Sequence, residues 1–84
     1  MNANETAEKV IGAAYEVSNT LGAGFLEKVY ERALAHELVL KGLRVQTQAS
    51  FAVAYKGQEV GVYLADLVVE GLLVVELKCV KINH

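Results

Sequence analysis

Three residues near the end of the chain could do chemistry together: Asp66, Glu76 and Lys78. They lie in two β-rich runs, Val60 to Val69 and Leu73 to Val80, separated by a turn at Glu70-Gly71. An acid in one strand, followed across a hairpin by Glu-x-Lys in the next, can make a divalent-metal site with a lysine beside it. Asp66, Glu76 and the Leu77 carbonyl are hard oxygen ligands suited to Mg2+ or Mn2+, with waters completing the shell. A metal held there polarises a phosphodiester and acidifies a bound water. Lys78 would orient that water or neutralise charge developing on the phosphate.

The arrangement depends on the turn. Side chains alternate along a strand, so Glu76 and Lys78 share a face of theirs. A two-residue loop, Glu70-Gly71, would set Asp66 against Val75 and turn Glu76 the other way. A three-residue loop, Glu70-Gly71-Leu72, sets Asp66 against Glu76 and Leu64 against Lys78. Two opposed carboxylates repel unless a cation sits between them. The metal reading therefore requires an odd-length turn or a bulge.

The elements that must hold these residues can be read in chain order. A helix is expected from about Asn4 to Leu21, with Asn4 as N-cap and Val10, Ala13, Ala14, Val17 and Leu21 as its apolar stripe. Gly22-Ala23-Gly24 ends it. This begins a G-x-G-x-x pattern, but Glu27 stands at the sixth position and a helix precedes it, so it is not a dinucleotide fingerprint. A second helix is expected from Phe25 to Lys41, closed by Gly42 with Leu43 as its apolar partner. Phe25, Leu26, Val29, Ala33 and Leu40 would cover its broad face, with Glu27, Tyr30, Leu34 and Leu38 as a second column at the edge. A carboxylate at Glu27 either reaches water at the helix end or is held for a purpose. Lys28, Glu31, Arg32 and Glu37 read as polar helix surface, and His36 as exposed.

After Gly42 the period changes to two. Leu43 to Gln48 and Phe51 to Tyr55 read as two strands with a slight break between them, and Lys56-Gly57 as a turn. Val60 to Val69, apolar on both faces, should be central. The expected fold is α+β: two N-terminal helices, then a mostly antiparallel four-stranded sheet.

Composition bounds the function. The 84 residues make one small domain that buries only about 60% of its unfolded surface. With 54% apolar residues and no Pro, the chain is not disordered. Ten acids and eight bases, net −2, are scattered singly, which excludes binding of nucleic acid by overall charge alone. A single cysteine, Cys79, allows neither an intrachain disulfide nor a cysteine zinc site, and fits a cytoplasmic setting. The N-terminus is not a signal peptide, and no apolar run reaches the ~18 residues of a membrane span.

The ordered motifs carry a resemblance. Gly24-Phe25-Leu26-Glu27-Lys28-Val29-Tyr30, Tyr55-Lys56-Gly57, Ala65-Asp66-Leu67-Val68-Val69-Glu70 and Val75-Glu76-Leu77-Lys78 follow one another as in the PD-(D/E)XK nuclease superfamily. In particular they resemble its small bacterial GxxExxY branch. The resemblance implies a truncated restriction-endonuclease-like core whose members cut or bind DNA or RNA. It implies Asp66, Glu76 and Lys78 as catalytic residues, Asp66, Glu76, Glu27 and Leu77 as metal ligands, and Tyr30 and Gly24 in support. Relatives often carry a basic residue where this chain has Leu64, and often a proline near Ala49–Val53. Relatives also continue into a further helix and strand, where this chain ends at Lys81-Ile82-Asn83-His84. The expectation is thus a single domain, 1–84, without that helix, leaving apolar sheet surface that a homo-oligomer would cover. Two functions fit: Mg2+-dependent hydrolysis of phosphodiesters in nucleic acid, or an inactive nuclease-fold remnant that binds or oligomerises.

Overall fold

The structure is a computed structural model that describes residues 1–78. Five elements follow in order: α1 (Ala3–Leu21), α2 (Glu27–Leu40), β1 (Val45–Tyr55), β2 (Gln58–Val69) and β3 (Leu73–Val75). The strands form one antiparallel sheet in the order β1-β2-β3. The α+β arrangement is the one the sequence predicts, with β2 central. The strand count differs: three among the described residues, not four. A single register holds from Val45↔Val69 to Val53↔Gly61, so β2 pairs with one continuous strand where two were expected. The last strand leaves the ladder after Val75 rather than running to Val80. The expectations for Cys79 and His84 lie outside the described residues.

Asn2, not Asn4, caps α1. Its Oδ1 accepts from the Glu5 N–H at 2.9 Å, and its carbonyl accepts from the buried Thr6 hydroxyl at 2.9 Å. Val10, Ala13 and Val17 form the buried stripe, while Ala14 stays exposed.

In α2 the buried column is the one carrying Leu34 and Leu38. The broad face expected to be buried points outward: Phe25, Leu26, Val29 and Leu40 are all exposed. The C-terminus explains the choice. Gly42, at φ 84°, closes a Schellman motif, with Gly42 N–H donating to the Val39 carbonyl at 2.9 Å and Leu43 N–H to the Leu38 carbonyl at 3.0 Å. Leu38 and Leu43 are both buried in the core, which turns the Leu38 column inward.

That core joins Val10, Ala13, Val17, Leu34, Leu38 and Leu43 to Leu67 and Val69, with Val45, Leu73, Val75 and Leu77 packed against it. Full burial of one such Leu or Val contributes roughly 1.5–3 kcal/mol. The helices thus cover only the end of the sheet near the β2–β3 turn, the start of β1 at Val45 included. Beyond them the β1–β2 hairpin runs on to the Lys56-Gly57 turn, where both central residues have positive φ. Phe51, Val53, Tyr55, Val60, Val62, Tyr63 and Leu64 of this arm are all exposed. The molecule measures 45 × 39 × 17 Å with a radius of gyration of 14.6 Å. A compact chain of this length would give about 12 Å.

Candidate functional site

The site is set by the turn between β2 and β3. Leu72 N–H donates to the Val69 carbonyl at 3.0 Å, and Glu70 and Gly71 both have positive φ. Val69 pairs with Leu73, so the loop is Glu70-Gly71-Leu72, three residues. Glu70 at φ 56° is unusual for a residue with a side chain. It is clamped to the start of β1: its N–H donates to the Arg44 carbonyl at 2.8 Å, and its carboxylate accepts from Arg44 Nε at 2.8 Å and Arg44 N–H at 3.3 Å.

Continuing the register sets Asp66 opposite Glu76. The ladder stops one step short of that pair, at Leu67↔Val75. Asp66 Oδ2 instead accepts from the Leu77 backbone N–H at 2.9 Å. On its other side the ladder also skips a step. Thr47↔Leu67 and Ala49↔Ala65 flank Gln48, which stands opposite Asp66 at φ 50°. Asp66 is therefore the point at which both neighbouring strands depart from regular pairing. Backbone irregularity of this kind gathers at functional sites.

The Asp66 carboxyl is held below the usual carboxylate range, chiefly by the Leu77 N–H. Partial desolvation opposes this, while hydrogen bonding with Glu76, the charge of Lys28 and the Gln48 side chain add to it. Glu76 accepts in turn from the Tyr63 hydroxyl, and that bond raises the Tyr63 pKa.

The helix contributes Glu31 rather than Glu27. Glu27 sits in the first turn of α2, exposed, with no side-chain hydrogen bond or ion pair among the described residues. Glu31, one turn on, is only 6% exposed, so it is not the polar surface expected of it. Its Oε2 pairs with Lys28 Nζ at 2.8 Å and its Oε1 accepts from Gln48 Nε2 at 2.9 Å. Both oxygens are satisfied, which a buried carboxylate requires. Gln48 thus links α2 to the strand position facing Asp66.

Tyr30 works on the loop between the helices. Its hydroxyl donates to the Gly22 carbonyl at 2.6 Å and accepts from the Phe25 N–H at 3.3 Å, and its ring meets Phe25 edge to face. Gly24, at φ 105°, and Gly22, at φ 72°, both hold backbone angles in that loop that favour glycine. Lys78 makes no ion pair with Asp66 or Glu76 among the described residues. It lines a mostly apolar cleft of about 270 Å³ with Ala14, Val17, Ser18, Tyr30, Leu34 and Leu77.

The sequence matches the PD-(D/E)XK nuclease superfamily over residues 4–83, nearly the whole chain. The chain belongs to that superfamily. No curated protein and no solved structure matches it. The three-residue turn sets Asp66 and Glu76, the two acids of the expected signature, at facing positions of β2 and the segment after β3. Among the described residues no group of three or more His, Cys, Asp or Glu side chains could hold a metal ion. Nor is any described helix long and apolar enough to cross a membrane.

Four participants escape a reading of the sequence: Lys28, Glu31, Gln48 and Tyr63. For Glu31 a signal exists. It stands three and seven residues before Leu34 and Leu38, on the column that is buried. Gln48 has no such signal, since the expected break falls at Ala49-Ser50, which pair regularly with Ala65 and Leu64. Nothing in the local pattern pairs Tyr63 with Glu76.

Proposed function

We propose that this superfamily member is a nuclease-like domain of the GxxExxY type, acting in the cytoplasm on phosphodiesters in nucleic acid with Mg2+ or Mn2+. The observation that supports this is the approach of Asp66 and Glu76 across the three-residue turn. Mg2+ needs only one or two carboxylates, with waters filling its octahedron, so two acids fit even though the described residues hold no larger cluster. Asp66 and Glu76 would be the ligands, with the Leu77 carbonyl beside them. A metal bound there would supply polarisation of the phosphate and a more acidic water.

The chain's own residues prepare that place. The Leu77 N–H keeps Asp66 ionised, and Tyr63 orients Glu76. Lys28 adds positive charge near Asp66 while it balances Glu31. Lys78, two residues from Glu76, would neutralise charge developing on the phosphate. Self-association belongs to the same reading of the exposed sheet.

The second reading is a nuclease-fold remnant that binds without turnover. The exposure of Glu27, which has no side-chain hydrogen bond or ion pair among the described residues, favours it, as does the lack there of any group of three or more metal-ligating side chains. Calorimetry with Mn2+ separates the two. The wild-type chain should bind and the Asp66→Asn chain should lose binding by tenfold or more, about 1.4 kcal/mol. No binding by the wild type refutes the metal site. Binding without cleavage of single-stranded, duplex or branched nucleic acid leaves the remnant reading standing.

A further inference from the structure

We propose that β1 is a self-pairing edge. Two copies of the chain join β1 to β1 about a two-fold axis near Phe51, making one continuous six-stranded antiparallel sheet. The inference stands apart from the metal site.

β1 has β2 on one side and no strand on the other among the described residues. Its eleven residues, Val45 to Tyr55, include no Asp, Glu, Lys, Arg or Pro. Monomeric proteins usually blunt such an edge with charge, proline or a short strand. Here two irregularities bracket a regular stretch: Gln48 at φ 50°, and the register shift between Val53 and Ala54. Between them run Ala49 to Val53, with Phe51 at the centre.

An antiparallel strand can pair with itself about its central residue. Phe51 would lie against its own equivalent, and Ala49 against Val53 of the second copy. Aromatic pairs directly opposed across strands are favourable. A strand without charge offers nothing to select an acidic or basic partner, whereas a two-fold pairing asks only for the strand itself. Only the exposed Phe51, Val53 and Tyr55 belong to β1 itself, so an edge pairing covers less than the about 800 Å² per partner of a tight dimer, and a concentration-dependent dimer held largely by backbone hydrogen bonds is expected.

Sedimentation velocity of the 84-residue chain, in reductant to silence Cys79, tests this over roughly 1 to 100 μM. The expected result is a reversible monomer–dimer equilibrium inside or below that range. A monomer at the highest concentration, or an open series of larger species, overturns the proposal. Phe51→Lys and Phe51→Glu should each give a folded monomer by circular dichroism, because like charges would be directly opposed. Mixing the two should restore the dimer, and a mixture that stays monomeric refutes the pairing. Hydrogen exchange on the unaltered chain gives a readout that needs no variant. Amides within Ala49–Val53 should gain protection as concentration rises; unchanged protection there overturns the edge assignment.

Discussion

Tyr30 holds the inter-helix loop with two hydrogen bonds, to the Gly22 carbonyl and from the Phe25 N–H. Tyr30→Phe keeps the ring on Phe25 and removes only those bonds. It should cost about 1 kcal/mol, lowering Tm by roughly 4–8 °C in a chain of this size, with Mn2+ affinity unchanged. An unchanged Tm with lost metal binding would instead make the hydroxyl part of the site. Glu31 shows where a residue's role is hidden from the sequence. Its spacing to Leu34 and Leu38 is visible, but a carboxylate on a buried column reads as an error until Lys28 and Gln48 are seen to complete it. Gln48 itself comes from a strand distant in sequence, so only the folded chain reveals the link. Glu27 is the converse: its motif is conspicuous, and its exposed side chain makes no hydrogen bond or ion pair among the described residues.

At the scale of elements, the end of α2 and the Lys56-Gly57 turn are legible because their signals are local, whereas the cap of α1 falls at Asn2 and not at the expected Asn4. Gly42 followed by Leu43 announced the end of α2, and the Schellman motif realises it. No atom lies within 4 Å of a Cβ built at Gly42, so Gly42→Ala suffers only from its positive φ. Urea unfolding should show a loss of about 1–2 kcal/mol with an unchanged m-value. Which face of α2 is buried was not legible, because Phe25, Leu26, Val29 and Leu40 are as apolar as the column that won. The contest is settled by tertiary packing of Leu38 and Leu43 on the sheet, which local periodicity does not contain. The split of β1 into two strands failed for a similar reason. Ala49 and Ser50 look like a break in propensity, yet Ala49 pairs with Ala65 and Ser50 with Leu64 in an unbroken register. The local sequence admits two turn lengths between β2 and β3, and the clamp of Glu70 by Arg44, across 26 residues, accompanies the longer one.

For the molecule as a whole, stability should respond to acid. Asp66 is held below the usual carboxylate range by the Leu77 N–H, and Glu70 by its hydrogen bonds with Arg44. A carboxyl whose pKa falls on folding stabilises the protein above its unfolded pKa, and that contribution disappears as pH drops through the folded value. Urea midpoints should therefore fall below about pH 4, and Asp66→Asn or Glu70→Gln should flatten the slope. Salt should weaken the Glu70 part, since Arg44 is 87% exposed. Tyr63 acts with opposite sign. Its raised pKa gives stability present below the unfolded value and lost as pH rises through the folded one, above about pH 10. A different kind of sensitivity lies in the Glu70-Gly71-Leu72 turn, whose odd length gives the fold a parity. Val68, Val69, Val74 and Val75 are apolar on both faces of their strands, so a chain with one residue inserted or deleted there could slide by one step and still bury valines. Asp66 and Glu76 would then part company without unfolding anything. If the proposed metal site holds, such a lesion would leave expression and folding intact and show only as lost Mn2+ binding, so the loop carries information in its parity as well as its sequence.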